Sequence, residues 1–272
     1  MKGRIRVGMS GWTYEPWRGD FYPKGLTQKK ELEYAAGKVT SIEVNGTFYS
    51  LQKPESFQSW ADQVPEDFCF AVKAPQFMTH VLRLKEPAEP LANFLASGLF
   101  KLGPKLGPIL WQLPPNVILK DDRFEKFFKM LPHDSKAAAK VAKGHGKKVA
   151  GRACLEPGGD YPVRHAFEFR HPSFNHPDFL AQMKEYGVCA VIGADGEKSA
   201  GIQEPTTDFV YVRLHGEDKK FKKGYTPAAI QAWAKKAKAW AADGLDVFVY
   251  FSTDAKEYSP FDAMNLLKAL KK

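Results

Sequence analysis

Eight short apolar segments recur along the chain and are separated by stretches with helical periodicity. They are rich in β-branched and aromatic residues and lie at about 4–9, 41–45, 68–73, 108–112, 166–170, 188–192, 209–215 and 246–252. Strands that alternate with helices indicate βα units around a parallel sheet. Since eight such units close a TIM barrel, the sequence predicts an α/β fold with a TIM-like (β/α)8 barrel.

Helix-stopping residues mark the boundaries between these segments. Three helical patterns end where a helix cannot easily continue: 26–36 before Gly37, 55–64 before Pro65 and 124–131 before Pro132. A further helix is predicted to begin after Thr226 as its N-cap, with Pro227 in its first turn. Its lysines fall on the face opposite its apolar residues, so they are expected to face solvent.

Two regions break the alternation. Residues 134–162, between strands 4 and 5, are rich in Ala, Lys and Gly and predict a basic insertion, which is either a lid or only an insertion. Residues 195–207, between strands 6 and 7, are too short and too interrupted by Gly and Pro for a full helix, so a reduced helix is expected there. The barrel is therefore predicted to be slightly irregular and to form a single domain over residues 1–272.

Composition excludes several classes of protein. A hydrophobic share of 44% with 26% charged residues is typical of a globular chain and not of a disordered one. There is no apolar run of the roughly 18 to 20 residues that a membrane helix needs, and residues 1–7 lead into the first strand without a signal-peptide core. These features predict a cytoplasmic protein that does not bind membranes. The widely spaced Cys69, Cys154 and Cys189 are interpreted as reduced thiols rather than as a disulfide or a zinc site.

The net charge of +9 favours acidic partners. Part of it lies in the basic insertion, at Lys136, Lys140, Lys143, Lys147, Lys148 and Arg152. One hypothesis is that this insertion, with a flexible joint at Gly144 to Gly146, makes the protein a nucleic-acid-binding barrel without catalysis. Runs of like charge are usually solvated surface, so a small anionic or nucleotide-like ligand is the preferred partner.

Strand parity separates the two faces of each predicted strand, because successive side chains point to opposite sides. One set is apolar throughout and suits the helix-facing side. The opposite set contains the polar residues Ser41, Glu43, Asn45, Lys73, Gln112, Glu168, Arg170, Arg213, His215 and Ser252, with Asp254 just beyond. We interpret these residues as lying in the C-terminal halves of their strands, the end that carries the active site in TIM barrels. A purely structural ion network is the alternative, because buried charges must be paired or must hold a ligand.

Seven motifs resemble those of the YecE-like family, catalogued as domain of unknown function 72. They are GMSGWTY at 8–14, WRGDFYP at 17–23, IEVNGTFY at 42–49, FAVKAP at 70–75 followed by Thr79 and His80, QLPP at 112–115, HAFEFRHPSF at 165–174 and YVRLHG at 211–216. The resemblance covers nearly the whole chain. It implies a TIM barrel and assigns no reaction. The chain departs from the family after the eighth strand, where Ser252, Thr253 and Asp254 stand in place of an Asn/Asp-rich triplet.

The polar set suggests an enzyme, a hydrolase or a lyase, for an anionic substrate. Glu43 and Glu168 are the candidate acid and base, and His215 is the candidate proton shuttle. Lys73, Arg170 and Arg213 would clamp a phosphate or carboxylate, because guanidinium and ammonium groups bind both. The remaining candidates are His80 as a further cation, Asn45, Gln112 and Asp254 as orienting groups, and Trp12 and Tyr49 as stacking groups or simple loop packing.

Other chemistries are weighed against this one. Glu43, Glu168, His215 and Asp254 form the ligand set of a metal-dependent phosphoesterase, the alternative enzyme, but the neighbouring cations oppose a metal ion. A carboxylate pair also serves glycosidases, although abundant cations favour a charged substrate. No phosphate-binding loop and no GxGxxG turn occurs, so neither a cofactor nor a metal is expected.

Overall fold

The computed structural model describes residues 2–193, 199–216, 224–252 and 257–271. In these residues nine parallel strands form one sheet: β1 (Ile5–Ser10), β2 (Ser41–Val44), β3 (Cys69–Lys73), β4 (Leu106–Gln112), β5 (His165–Glu168), β6 (Cys189–Ala190), β7 (Ile192–Gly193), β8 (Phe209–Leu214) and β9 (Asp246–Phe251). Their order is β6-β5-β4-β3-β2-β1-β9-β8-β7. The sheet is a nearly closed, TIM-like barrel, as predicted.

The sixth predicted strand is where the structure differs from the prediction. It is divided into β6 and β7, which are separated in the chain by Val191 alone. β6 pairs with β5 and β7 pairs with β8, so the chain passes from one neighbour to the other at this residue. The prediction of one continuous sixth strand is therefore wrong, because each half of the segment satisfies its backbone groups on a different side.

Nine α-helices occur in the described residues: α1 (Glu31–Ala36), α2 (Gly46–Tyr49), α3 (Pro54–Asp62), α4 (Ala88–Ala96), α5 (Arg123–Phe128), α6 (Ser135–Ala142), α7 (Pro177–Glu185), α8 (Pro227–Ala242) and α9 (Ser259–Leu270). Thr226 caps α8 as predicted, since its hydroxyl accepts the backbone N–H of Ala229 at 3.2 Å. α1 begins later than predicted because Gln28–Lys30 forms a 3-10 turn. No helix occurs at 199–208, the described part of the segment between β7 and β8.

The basic insertion contains α6 and is held against α4. The Asp134 side chain caps α6 by accepting the N–H of Ala137 at 2.7 Å. The N–H of Gly146 donates to Asn93 Oδ1 at 2.8 Å, and Arg152 Nη1 donates to the carbonyl of Gln52 at 2.7 Å. The segment is thus tied to the barrel at Gly146, where the sequence suggested a flexible joint.

Two buried clusters confirm the strand parity. The larger one lies between sheet and helices and includes Ile42, Val72 and Trp111. The smaller one consists of residues of the opposite parity inside the barrel: Cys69, Ala71, Leu110, Ala166, Cys189, Val191, Phe209, Tyr211, Phe248 and Tyr250. Cys69 and Cys189 are buried free thiols in this inner cluster, and Cys154 is a half-buried free thiol. No helix among the described residues is long and apolar enough to cross a membrane.

Candidate functional site

The candidate site lies one step above the inner cluster, at the C-terminal ends of the strands. On four strands the side chain changes from apolar or aromatic to charged or amide over two residues: Ala71 to Lys73, Leu110 to Gln112, Ala166 to Glu168 and Tyr211 to Arg213. Residues two apart share a face of a strand, so each of these changes occurs on the inner face, toward the C-terminal end of its strand. We call the resulting layer of Ser10, Glu43, Lys73, Gln112, Glu168, Arg213 and His215 the mouth layer; all seven residues are buried.

Ser41 does not belong to the mouth layer. It pairs with Gly8 in the first half of the barrel, and its hydroxyl donates to the carbonyl of Cys69 at 2.6 Å. The Tyr250 hydroxyl lies 2.7 Å from the same Ser41 oxygen. The prediction that Ser41 lies at the C-terminal end was wrong, because Ser41 is the first residue of β2 and Glu43 the third.

Arg213 joins the two carboxylates of the mouth layer. Its Nε and Nη2 donate to the two oxygens of Glu43 at 3.0 and 2.9 Å, which is a two-point pairing. Its Nη1 donates to Glu168 Oε2, and its Nη2 also donates to Ser252 Oγ at 2.8 Å. Each nitrogen of this guanidinium therefore has an acceptor within the protein.

Glu43 is fully engaged by its neighbours. Besides Arg213, it accepts the Ser10 hydroxyl at 2.6 Å and the Tyr211 hydroxyl at 2.7 Å, one on each oxygen. Burial raises the pKa of Glu43, but the nearby Arg213 charge and these hydrogen bonds outweigh it, so the pKa is lowered overall. Glu43 is thus an ionised carboxylate whose two oxygens are both occupied.

Glu168 and His215 share a proton. The Nδ1 of His215 faces the carbonyl oxygen of Ser252 at 3.1 Å and must carry a hydrogen, since a carbonyl only accepts. Its Nε2 lies 2.6 Å from Glu168 Oε1, a contact that also requires a proton between the two atoms. Burial raises the pKa of Glu168, yet Arg213 and His215 hold it well below its usual range. A proton at this contact makes the pair a candidate proton donor, and Glu168 Oε2 also accepts from Gln112 Nε2 at 2.6 Å.

Lys73 is the exception among the charged groups of the mouth layer. Its Nζ lies 4.0 Å from the centre of the Phe48 ring and makes no hydrogen bond or ion pair with a described residue. Burial and the positive charge of Arg213 lower the pKa of Lys73 to about 8 despite Glu43 and Glu168. The amine is thus poised between its charged and neutral forms near neutral pH.

Arg170 and His80 lie at the edge of the mouth, and of the two only Arg170 adds positive charge at neutral pH. Arg170 Nη2 lies 3.9 Å from Glu168 Oε1, and its buried Nε has no hydrogen-bond partner in the described structure. His80 packs edge-on against Phe48 at 5.1 Å, and its Nδ1 lies 2.9 Å from Thr79 Oγ1. The pKa of His80 is lowered by burial and then by the positive charges of Lys73 and Arg170. His80 is therefore a neutral imidazole at pH 7, close to the charges of Lys73 and Arg170, and does not act as the further cation that the sequence predicted.

Two hollows adjoin the mouth layer. The smaller, of about 360 Å³, is lined by Ser10, Trp12, Asn45 and Tyr49. Trp12 packs edge-on against Trp60 at 5.4 Å, as the loop-packing interpretation expects, whereas Tyr49 is 72% exposed. The structure thus brings three sequence-predicted substrate-binding residues around one pocket.

The larger hollow is a cleft of about 1010 Å³ beside the mouth, which the sequence reasoning missed. Phe48, Tyr49 and Phe77 line it together with Lys148 and Arg152 of the basic insertion. Lys148 Nζ lies 4.4 Å from the centre of the Phe77 ring, which is 40% exposed. Phe77 belongs to a π-helical turn, Phe77–Val81, a type of turn frequent at functional sites.

Three further residues take part in the site. Ser10 and Tyr211 lie on the inner faces of β1 and β8, where strand parity could have found them, and both donate to Glu43. Phe48 carries no polar signal, and only the fold places its ring against Lys73. Asp254, a predicted orienting residue, lies outside the described residues.

The mouth layer does not fit a divalent metal ion. Arg213 lies between Glu43 and Glu168, at the place that a shared cation would take. No cluster of three or more His, Cys, Asp or Glu suited to a metal occurs in 2–193, 199–216, 224–252 and 257–271. The positive charges of Lys73 and Arg170 beside the carboxylates would further oppose such an ion.

The fold and the mouth layer define a TIM-like α/β barrel with a buried ion network at its C-terminal end. The chain belongs to the family described as protein of unknown function DUF72, whose match extends over residues 6–272. The UPF0759 protein YunF of Bacillus subtilis is 25% identical over 284 residues, covering 92% of this chain and 89% of YunF. The UPF0759 protein YecE of Escherichia coli K12 is 31% identical over 110 residues, 40% of this chain and 38% of YecE.

Solved structures agree on the architecture. A DUF72 family protein of Thermotoga maritima superimposes with a TM-score of 0.71 at 22% identity, covering 99% of this chain and 100% of that chain. D-psicose 3-epimerase of Clostridium cellulolyticum, crystallised with D-tagatose, gives a TM-score of 0.52 at 12% identity, covering 100% and 98% of the two chains. At these identities the likeness concerns the fold alone.

Proposed function

We propose that this protein is an enzyme that acts on a small molecule bearing a phosphate or carboxylate group, bound at the mouth layer, without a metal ion in its chemistry. The observation that carries the proposal is the contact between Glu168 and His215 beside two incompletely paired cations: Lys73, which has no hydrogen bond or ion pair with a described residue, and Arg170, whose Nε has no partner and whose nearest counter-charge, Glu168, lies 3.9 Å away. A buried charge without a close counter-charge is costly, so such an arrangement favours an anionic ligand.

The residues divide into a binding side and a proton-transfer side. Arg170, through its unpaired Nε and its terminal nitrogens, and Lys73 beside it would hold the anionic group. Glu168 and His215 would exchange a proton with the reacting atom. Arg213 and Glu43 have their polar atoms already bonded within the protein, so we assign them to keeping Glu168 ionised and in place rather than to clamping the substrate.

The cleft beside the mouth supports a nucleotide-like substrate within this proposal. Exposed Tyr49 and Phe77 offer ring faces on which a base can stack, and Lys148 and Arg152 offer charge for phosphate oxygens. Phe48 lines the cleft and contacts Lys73, so the cleft and the mouth adjoin at this ring. A nucleotide whose phosphate lies at the mouth would have room for its base in the cleft.

The binding test is a thermal-shift screen with sugar phosphates, nucleoside monophosphates, carboxylates and neutral sugars. A ligand of the native state raises the Tm by mass action. We expect one anionic class to raise the Tm of the wild type and of Arg164→Met, whose side chain pairs with Asp246 at the opposite end of the barrel, and to lose this effect in Arg170→Met. An equal shift in the wild type and Arg170→Met, or a shift with neutral sugars only, would contradict the proposal.

The proton-transfer roles are tested once a substrate has been found. Glu168→Gln keeps the shape of the side chain but cannot hold the proton, so kcat should fall by about 10² to 10⁴. Asp160→Asn, at an exposed carboxylate of the basic insertion, is the matched control and should leave kcat unchanged. Unchanged turnover in Glu168→Gln would refute its role.

A further inference from the structure

Lys73, the lysine of the mouth layer, has no hydrogen-bond acceptor among the described residues, unlike several other lysines of the chain. Lys105 Nζ donates to the carbonyls of Ala61 and Val64 at 2.7 and 2.9 Å. Lys30, Lys126, Lys129 and Lys136 each pair with a carboxylate at 2.6 to 2.9 Å. Lys73 is only 9% exposed, and instead of an acceptor its Nζ faces the Phe48 ring. This surrounding stabilises a neutral amine far better than those of the paired lysines.

A buried amine that is partly neutral near pH 7 and lies close to the Glu168 carboxylate can act as a nucleophile toward carbonyl compounds. We propose that Lys73 Nζ forms an imine with an aldehyde or ketone whose anionic group is held by Arg170. The inference rests on the proposed function, because it takes Arg170 as the anion-binding residue and Glu168 with His215 as the source of the proton. It deepens that function by naming the substrate class, an anionic carbonyl compound.

The proposed step balances without any oxidant or reductant. The Nζ lone pair forms a bond to the carbonyl carbon, the carbonyl π electrons move to oxygen, and this oxygen gains a proton while nitrogen loses one. In the second stage the C–O bond breaks, the oxygen leaves as water with a proton supplied by the Glu168–His215 pair, and the nitrogen lone pair completes the C=N bond. Protonated at nitrogen, the imine withdraws electrons from the neighbouring carbon, which makes a proton or a carbon substituent there easier to remove.

The basicity of Lys73 agrees with this role. With a pKa of about 8, roughly a tenth of the amine is neutral at pH 7, against less than about a thousandth for a lysine of pKa 10.5. The Phe48 ring covers the amine on one side, while the adjoining cleft leaves a way in from solvent. The amine is therefore both available as a nucleophile and shielded by an aromatic ring.

The experiment is reductive trapping on the full-length protein at pH 7. Glyoxylate is the anionic probe, acetaldehyde is the neutral probe, and sodium cyanoborohydride reduces any imine to a stable secondary amine that peptide mass mapping locates. From the difference in neutral fraction we expect glyoxylate to label Lys73 at least about tenfold faster than the exposed Lys136. In Arg170→Met the rate at which glyoxylate labels Lys73, relative to Lys136, should fall to the relative rate seen with acetaldehyde. In Lys73→Arg no lysine should label faster than Lys136.

The outcomes separate the inference from the function on which it rests. Labelling of Lys73 no faster than that of Lys136 overturns the imine, even if an anionic ligand still gives an Arg170-dependent thermal shift; Lys73 is then only an anion clamp. Fast labelling of Lys73 by both probes alike, unaffected by Arg170→Met, supports the amine as nucleophile and overturns the anion-binding role of Arg170.

Discussion

The inside of the barrel has two layers that are built by the same strands and differ in almost every chemical respect. The lower layer is the inner cluster of apolar, thiol and tyrosine side chains around Phe209 and Phe248. The mouth layer, two residues further along each strand, contains two carboxylates, a guanidinium, an amine and an imidazole. Tyr211 joins them, because its ring belongs to the lower layer and its hydroxyl donates to Glu43.

The two layers contribute differently to the free energy of unfolding. Burying apolar area stabilises the lower layer whatever the pH. In the mouth layer each charge must be compensated, and Arg213 does this for both Glu43 and Glu168, whereas Lys73 has no ion pair with a described residue and Arg170 only a long one with Glu168 at 3.9 Å. A barrel selected for stability alone would not need the mouth layer to be charged, which is why this layer is the candidate site.

Arg213→Met should produce the largest change, because it leaves two buried carboxylates without their counter-charge. We expect a loss of about 3 to 5 kcal/mol in the free energy of unfolding at pH 7, measured by urea titration. In the wild type the folded-state pKa values of Glu43 and Glu168 lie below their usual 4.5, so their contribution is present above that pH and is lost as the pH falls. In Arg213→Met burial raises both pKa values, so protonation of the carboxylates relieves the variant as the pH falls, and the difference in unfolding free energy between variant and wild type should narrow from pH 7 to pH 4.

Arg164→Met is the matched control for this prediction. Arg164 pairs with Asp246 at 2.8 Å at the other end of the barrel, but both side chains are about a quarter exposed. Arg164→Met should lower the free energy of unfolding clearly less than Arg213→Met does. A gap for Arg213→Met that stays constant from pH 7 to pH 4 would contradict the role assigned to Arg213.

Phe248→Ala tests the lower layer. The ring is buried and contacts Phe209 edge-on at 6.0 Å, so its removal should cost about 3 to 5 kcal/mol from lost burial and a residual cavity. Unlike that of Arg213→Met, this loss should be the same at pH 7 and pH 4, and the anion-dependent thermal shift should persist. If Phe248→Ala abolished that shift, the two layers would not be functionally separate.

Tyr211→Phe and Tyr250→Phe sharpen the boundary between the layers. Tyr211 donates to an ionised carboxylate, whereas the Tyr250 hydroxyl lies against the neutral hydroxyl of Ser41. A bond to a charged group contributes about 1.5 to 3 kcal/mol and a neutral bond about 1, so Tyr211→Phe should be the more destabilising in urea titrations. Equal losses of unfolding free energy in the two variants would mean that the charge of Glu43 does not strengthen its hydrogen bond with Tyr211.

Lys136→Ala should have the smallest effect. Its ion pair with Asp160 at 2.8 Å is exposed on both sides, at 71% and 72%, unlike the pairs of the mouth layer. Water and salt screen such pairs, so we expect no resolvable change in the free energy of unfolding in urea titrations. A loss as large as that of Tyr211→Phe would show that the basic insertion contributes more than a solvated surface does.

Much of the architecture could be predicted because it depends on local patterns. Alternation along single strands was enough to assign Ile42 and Val72 to the outer side and Glu43 and Lys73 to the inner side. The end of each strand followed from where the polar residues begin. The division of the sixth strand at Val191 could not be predicted, since it depends on the two neighbours with which the segment pairs.

The individual roles at the mouth were beyond the sequence. Lys73, Arg170 and Arg213 are equivalent cations in a list of residues, yet Arg213 has its donors bonded, Arg170 keeps a buried unpaired Nε, and Lys73 faces an aromatic ring. These differences arise between strands that are distant in the chain. Likewise, the cleft at Phe77 and Lys148 exists only because the basic insertion returns to the β2–α3 side of the barrel.

The sequence by itself determined the barrel, the face on which each strand residue lies and the end at which charge collects, because those properties repeat with the period of a strand and the spacing of βα units. Only the tertiary structure decided which charge meets which, because Glu43, Glu168 and Arg213 come from three strands far apart in the chain. Pairing energies depend on distances of a few ångströms across the barrel, and no periodicity along the chain encodes those distances.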